Sequence, residues 1–206
     1  MKVLLVNGSP RKESCTYTAL CEIASTLDKN GVESEIFYIG TGPQQGCTAC
    51  SKCRKIGECV LGGDIYHELL SKMLEADGII IGSPVYFSGP NGALCALLDR
   101  VFYSSMGKFK HKPAAAIVIC RRGGASAAFD RLNKYFTISQ MPVVSSQYWN
   151  CAHGHTPDDI RVDLEGLQIM RTLGNNMAWL LKCIKNGESP PISEKRITTS
   201  FQDGKL

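Results

Sequence analysis

The chain has 206 residues, 44% of them hydrophobic and 20% charged, with a formal net charge of +4. That length suits one α/β domain, and the composition excludes a disordered, collagen-like or charge-tailed protein. A charge excess this mild and scattered gives no basis for binding nucleic acid or a membrane surface, so any anionic ligand must be argued from a local site.

Residues 3–6 are a short continuous apolar run that stops at Asn7-Gly8-Ser9-Pro10, the pattern of a buried strand ending in a loop. A helix follows from Thr16 or Thr18, with Leu20, Ile23, Ala24 and Leu27 on one face and Gly31 as a stop signal, and residues 33–39 form the second strand. After a cysteine-rich insertion at 47–59, Asp64 caps a helix whose face is Ile65, Leu69, Met73 and Ala76. Residues 78–82 are a third buried strand ending at Ser83-Pro84, and helix–strand pairs recur at 93–103 with 114–120 and at 125–135 with 142–145. Apolar strands that are continuous rather than alternating, set between helices, predict an α/β doubly wound parallel sheet covered on both faces. Leu164, Leu167, Met170, Leu173, Met177, Leu180 and Ile184 mark a long C-terminal helix, within a helical extension over about 157–186, that serves as core or subunit interface. No repeat or linker divides the chain, so residues 1–206 read as a single domain.

The opening MKVLLVNGSP is too short an apolar run for a signal peptide, and no stretch nears the roughly 18 apolar residues of a span; the expectation is a cytoplasmic protein with no membrane partner. A domain of this size in a reducing compartment needs no disulfides, so the spacing of the ten cysteines carries the information. Cys15, Cys21, Cys95, Cys120, Cys151 and Cys183 are scattered in apolar or helix-like surroundings and read as small buried hydrophobes. The other four are clustered.

Ligands of an open doubly wound sheet bind outside the carboxyl ends of its strands. After strand one, Gly8 to Thr16 offers a glycine for close backbone approach, hydroxyls at Ser9, Ser14 and Thr16, and a following helix N-terminus, which together describe a phosphate cradle. Neither G-x-x-x-x-G-K-[ST] nor G-x-G-x-x-G is present, so a monophosphate is favoured over a nucleoside triphosphate or a dinucleotide. After strand three, Pro84, Val85, Tyr86, Phe87 and Ser88 put two aromatics at the mouth of the central strand, where a flat ring can lie. After strand four, Gly123 and Gly124 permit tight ring approach, and Arg121 and Arg122 can hold a negative ring edge or an incoming phosphate.

Cys47, Cys50, Cys53 and Cys59 follow C-x2-C-x2-C-x5-C. Such a compact set can wrap one inorganic body, which suits a [4Fe-4S] cluster; structural zinc more often draws on two separated pairs, and a metal-free segment is the third alternative. His67, His111, His153 and His155 show no metal-ligand clustering, and the close pair His153 and His155 reads as loop.

The segments GSPRKESCT and GSPVYFSGPNGALCALLDR, with the cysteine-rich stretch between them, make nearly the whole chain resemble the NADPH-dependent FMN reductase family of flavodoxin-like proteins, in its iron–sulfur flavoprotein branch. The resemblance implies a five-stranded sheet in the order 2-1-3-4-5. It implies FMN phosphate on the loop that includes Ser9, Arg11, Ser14, Cys15 and Thr16, with the isoalloxazine against residues 84–88 and the loop after Cys120. Cys15 stands where the family commonly has Asn, so contact there rests on backbone. The resemblance further implies that flavin and cluster meet across subunit contacts.

The leading function is an FMN-dependent oxidoreductase passing electrons between NAD(P)H or ferredoxin and a small-molecule acceptor through a [4Fe-4S] cluster, with the chemistry on FMN N5 and no catalytic side chain named. A cluster-free NAD(P)H-dependent FMN or quinone reductase is the second reading, and a non-enzymatic flavodoxin-like carrier the third. A homodimer or homotetramer is expected, because Phe102, Tyr103, Met106, Trp149 and the long helix offer more apolar surface than one sheet needs.

Overall fold

The computed structural model describes residues 1–195 and 197; residues 196 and 198–206, the end of the span read as one domain, lie outside the described residues. In chain order the elements are β1 (Lys2–Asn7), α1 (Cys15–Lys29), β2 (Glu33–Tyr38), α2 (Cys53–Ile56), α3 (Tyr66–Glu75), β3 (Gly78–Tyr86), β4 (Gly89–Pro90), α4 (Gly92–Ser104), β5 (Ala114–Cys120), α5 (Ala125–Ile138), β6 (Cys151–His153), α6 (Pro157–Val162) and α7 (Leu164–Asn186). Five strands pair in parallel in the order β2-β1-β3-β5-β6, which is 2-1-3-4-5 counted along the parallel strands, and β4 folds back antiparallel on the end of β3.

Successive strand residues point to opposite faces, and here both faces are dry. Leu4, Val6, Ile79, Ile81, Ala116 and Val118 pack with α3, α4 and α5 in one core. Val3, Leu5, Ile80, Ala115, Ile117 and Ile119 pack with α1 and α7 in the other. Two-sided burial explains why residues 3–6, 79–81 and 114–120 read as unbroken apolar runs, since no position in them faces water.

The fifth parallel strand is displaced from its expected position. Residues 142–145 touch the sheet only through an isolated bridge from Val143 to Ala114, and the pairing resumes at β6 beside the far end of β5. Buried Asn150 makes the join: its side-chain amide donates to the Ala116 and Val144 carbonyls, and its own carbonyl accepts from the Val118 N–H. Cys151-Ala152-His153 is three residues long without a β-branched side chain, so its pairing comes from tertiary context rather than propensity. His153 therefore ends a strand, whereas His155 lies in the loop beyond it.

Other differences are local. The cap of α1 is Ser14, so the helix begins at Cys15. The N-cap of α3 is Ile65 rather than Asp64, although Asp64 does accept a hydrogen bond from the Tyr66 N–H at 3.1 Å. The helical extension is two helices meeting at Asp163, which caps α7 by accepting from the Gly166 N–H. Phe102, expected as apolar surface, is buried against Phe109, Tyr135 and Phe136. Cys183, expected as a buried hydrophobe, is exposed. Among the described residues no helix is long and apolar enough to cross a membrane.

Candidate functional site

Three loops meet beyond the carboxyl ends of β1, β3 and β5, where an open parallel sheet leaves a crevice. The first runs from Gly8 to Ser14. The Gly8 N–H donates to the Gly82 carbonyl at 2.8 Å and Asn91 Nδ2 donates to the Gly8 carbonyl at 2.8 Å, stitching the exit of β1 to β3 and the start of α4. A Cβ on Gly8 would lie 2.5 Å from Leu94 Cδ2 and 2.7 Å from the Gly82 oxygen, an approach open only to glycine. Asn7 Oδ1 accepts from the Ser9 N–H, Asn7 Nδ2 donates to the Lys12 carbonyl, and Ser9 Oγ accepts from the Arg11 N–H. From the end of β2, the Tyr38 hydroxyl donates to the Pro10 carbonyl at 2.6 Å. These bonds shape the loop without any ligand.

At the start of α1, Ser14 Oγ accepts from the Tyr17 N–H and the Ser14 carbonyl from the Thr18 N–H. The first-turn N–H groups of Cys15 and Thr16 are left for an external acceptor. Thr16 is buried, and its Oγ1 has no hydrogen-bond partner among the described residues. A buried hydroxyl without a partner is costly, and beside free helix N–H groups it fits a phosphate oxygen. Ser9 and Ser14 use their oxygens as acceptors within the loop, which leaves each hydroxyl proton available to an anion. Burial pushes the Cys15 thiol above its usual range, so this group adds no negative charge to the cradle. Arg11 is exposed at the loop crest. FMN phosphate fits this donor set.

The second loop is a hairpin. Phe87 and Ser88 turn β3 back into β4 with φ of 49° and 60°, both positive as a type I′ turn requires, and rare for a phenylalanine. Pro84 and Val85 are half-buried, Tyr86 is exposed, and Phe87 is fully exposed. In the third loop Cys120 is buried, with burial raising its thiol pKa, and Arg121, Arg122 and Gly123 are exposed. Gly124 has φ 86°, and a Cβ there would lie 2.8 Å from Ser88 Oγ and 2.9 Å from Ser88 Cα, so the second and third loops touch. The residues expected to hold the cofactor thus share one rim: a cradle at Ser9 to Thr16, an aromatic hairpin at Pro84 to Ser88, and a glycine turn at Arg121 to Gly124.

Cys47, Cys50, Cys53 and Cys59 line a single pocket together with Arg100, Tyr103 and Ser104 of α4. Cys47 and Cys50 are exposed, Cys53 is half-buried and Cys59 is buried. The backbone N–H of Lys52 pulls the Cys50 thiol below its usual range, the direction that favours a ligating thiolate. Among the described residues, no three His, Cys, Asp or Glu side chains lie close enough to share one metal ion. A four-iron cluster is a larger body than one ion and takes wider sulfur spacing, and four cysteines on one pocket are the donor set it needs. Arg54 reaches the Tyr103 hydroxyl at 3.0 Å and Lys108 reaches the Gly57 carbonyl at 2.8 Å. Arg54, Lys108 and the Asp64-paired Arg100 thus surround the pocket with basic side chains.

The sequence reading missed Arg100 and its partners. The Arg100 side chain is fully buried, paired with Asp64, and donates to the Gln45 carbonyl at 3.2 Å, the Leu61 carbonyl at 2.6 Å and Cys59 Sγ at 3.4 Å. Its guanidinium also lies over the Tyr66 ring, 4.8 Å from the centroid. The Tyr66 hydroxyl accepts from the Cys59 N–H at 2.9 Å and bonds Ser104 Oγ at 2.6 Å. Burial pushes the Asp64 carboxyl up, but hydrogen bonds from Arg100 and from the N–H groups of Tyr66 and Gln45 outweigh it and hold the carboxyl below the usual range. One signal was available: Arg100 falls on the face of α4 shared by Leu97 and Ser104, where a charge must be buried with a partner.

The model of the NADPH-dependent FMN reductase family matches residues 1–156. The chain is similar to an iron–sulfur flavoprotein of Methanocaldococcus jannaschii, 34% identical over 90% of this chain and 100% of that one. It is also similar to an iron–sulfur flavoprotein of Archaeoglobus fulgidus, 39% identical over 62% of this chain and 64% of that one. Among solved structures, RosB with a bound riboflavin 5′-phosphate intermediate matches with a TM-score of 0.72 at 16% identity, covering 98% of this chain and 93% of that one, and so shares the flavodoxin-like fold. With three quarters of its length matched by the family model and a full-length relative at this identity, the chain belongs to the NADPH-dependent FMN reductase family of oxidoreductases.

Proposed function

We propose that this oxidoreductase binds FMN on the rim loops and a [4Fe-4S] cluster on Cys47, Cys50, Cys53 and Cys59, and passes electrons between NAD(P)H or ferredoxin and a small-molecule acceptor. The observation that carries the reading is the gathering of all four cysteines on one pocket beside a buried arginine. FMN held on the rim would supply hydride acceptance and single-electron release, and a cluster held by Cys47, Cys50, Cys53 and Cys59 would supply one-electron transfer, so the pair would join two-electron to one-electron chemistry. The chain's own residues hold and shield these groups. Cys15 and Thr16 N–H groups with the Ser9, Ser14 and Thr16 hydroxyls bind the phosphate. Tyr86 and Phe87 on one side and Gly123 and Gly124 on the other keep water off the ring, and Arg121 and Arg122 supply positive charge to its edge or to a nicotinamide phosphate.

Position within the fold bears on assembly. The cysteine pocket rests on Tyr103 and Ser104, about 16 Å along α4 from its rim end at Gly92, at 1.5 Å per residue. A homodimer or homotetramer that sets the pocket of one copy against the rim of another shortens the path, and exposed Tyr103, Met106 and Trp149 supply apolar surface for it. Anaerobic purification with flavin mass spectrometry and iron and sulfide analysis tests the reading. FMN with four iron and four sulfide per chain is the expected result. FMN without iron supports the cluster-free reductase, and FAD as the dominant flavin overturns the cradle assignment.

A further inference from the structure

The four cysteines are not equivalent. Cys47 and Cys50 are exposed and Cys53 is half-buried, whereas Cys59 is buried with its sulfur 3.4 Å from Arg100 Nε. The same guanidinium holds the carbonyl of Gln45, two residues before Cys47, and that of Leu61, two residues after Cys59. One side chain therefore ties both ends of the cysteine segment, and Asp64 keeps it in place.

We propose that Arg100 is a positioning residue that closes the cysteine segment into a preformed loop and, by donating its Nε–H to Cys59, makes that sulfur the electron-poor corner of the site. The proposal rests on the cluster reading for its electronic part and on the bare chain for its structural part. A planar fork suits the task, because it aims separate N–H groups at a sulfur, two carbonyls and a carboxylate at once; a lysine ammonium cannot. A hydrogen bond to a ligating sulfur withdraws charge from it and stabilises the state that has gained an electron, so it raises the reduction potential. Arginine stays protonated across the working range, so the reduction adds one electron and no proton at this corner.

Two measurements test the two parts. In reduced, cluster-free protein, alkylation followed by peptide mass spectrometry should label Cys59 at least tenfold more slowly than Cys47 or Cys50, and Arg100→Gln should erase that gap. Equal labelling of Cys59 and Cys47 in the wild-type protein overturns the structural part whether or not a cluster ever binds. In anaerobically reconstituted protein, a dithionite titration followed by electron paramagnetic resonance should give lower midpoint potentials for Arg100→Lys and Arg100→Gln than for wild type at equal iron content. An unchanged potential in both variants overturns the electronic part while leaving the cluster itself established. Retained FMN reports that a variant is folded. If the Arg100 variants do not fold, Asp64→Asn, which leaves the arginine present but unanchored, should lower the potential and speed Cys59 labelling, and wild-type behaviour there overturns the proposal.

Discussion

The loop after β1 and the cysteine segment are built on opposite plans. Between β1 and α1 the chain is fixed from inside the fold: Ser9, Ser14 and Thr16 are buried, and hydrogen bonds with the side chains of Asn7, Tyr38 and Asn91 and with the Gly82 carbonyl hold the loop. Residues 40–64 contain one four-residue helix, are mostly exposed, and are held chiefly by side chains reaching from α4 and beyond. A site on a buried loop already held by its own hydrogen bonds is ready before its ligand comes. One made of thiols on a loop with little apolar burial has low local stability and is completed by what it binds.

Four changes break or sharpen that contrast. The largest effect is expected from replacing any one of Cys47, Cys50, Cys53 or Cys59 with Ala, which should strip the cluster while FMN stays bound; iron analysis beside flavin absorbance reads both, and joint loss would mean the two sites are not separable. Next, Gly8→Ala forces a methyl into the Gly82 carbonyl and Leu94, at a cost of about 1–3 kcal/mol, and should weaken FMN binding without affecting iron. A Kd for FMN from fluorescence quenching checks it.

Smaller losses are expected from Ser9→Ala and Ser14→Ala, each removing about 0.5–1.5 kcal/mol of net hydrogen bonding from the cradle. Unchanged flavin affinity in both would put the phosphate elsewhere. The smallest effect lies away from both sites. Glu35 on β2 is bonded by Lys2 at 2.6 Å and Lys72 at 2.5 Å, and those hydrogen bonds, Lys2 first, lower its pKa despite partial burial. Its contribution is complete above the ordinary Glu value of about 4.3 and is lost as pH falls through the lowered native value. Glu35→Gln should therefore cost up to about 1 kcal/mol at neutral pH, with the gap in denaturant stability closing below pH 4 or so.

The order of elements was legible because β1, β3 and β5 are buried on both faces and α1, α3 and α7 on one, and burial of that kind writes periodicity into the sequence. Strand β6 was not, since Cys151-Ala152-His153 owes its place to Asn150 reaching back to Ala116 and Val144. The rim loops were legible through glycines and hydroxyls whose chemistry is local. The hairpin at Phe87 and Ser88 was hidden, because neither residue type announces a positive φ. The four cysteines stood out by spacing alone, yet the arginine that organises them comes from α4, 41 residues after Cys59, and no local pattern links the two.

The C-terminal helix redraws the edge of the folding unit. The family model ends at residue 156, but Ile169, Met170, Leu173, Met177, Ala178 and Leu181 of α7 cover the sheet face formed by Val3, Leu5 and Ile80 and pack beside α1. A fragment cut at that family boundary would carry every rim residue and all four clustered cysteines and still lack the lid over half its core. Exposing such a face to water invites self-association. Anyone expressing or grafting this flavin module must carry the chain through Asn186, because the part that names the family is smaller than the part that folds.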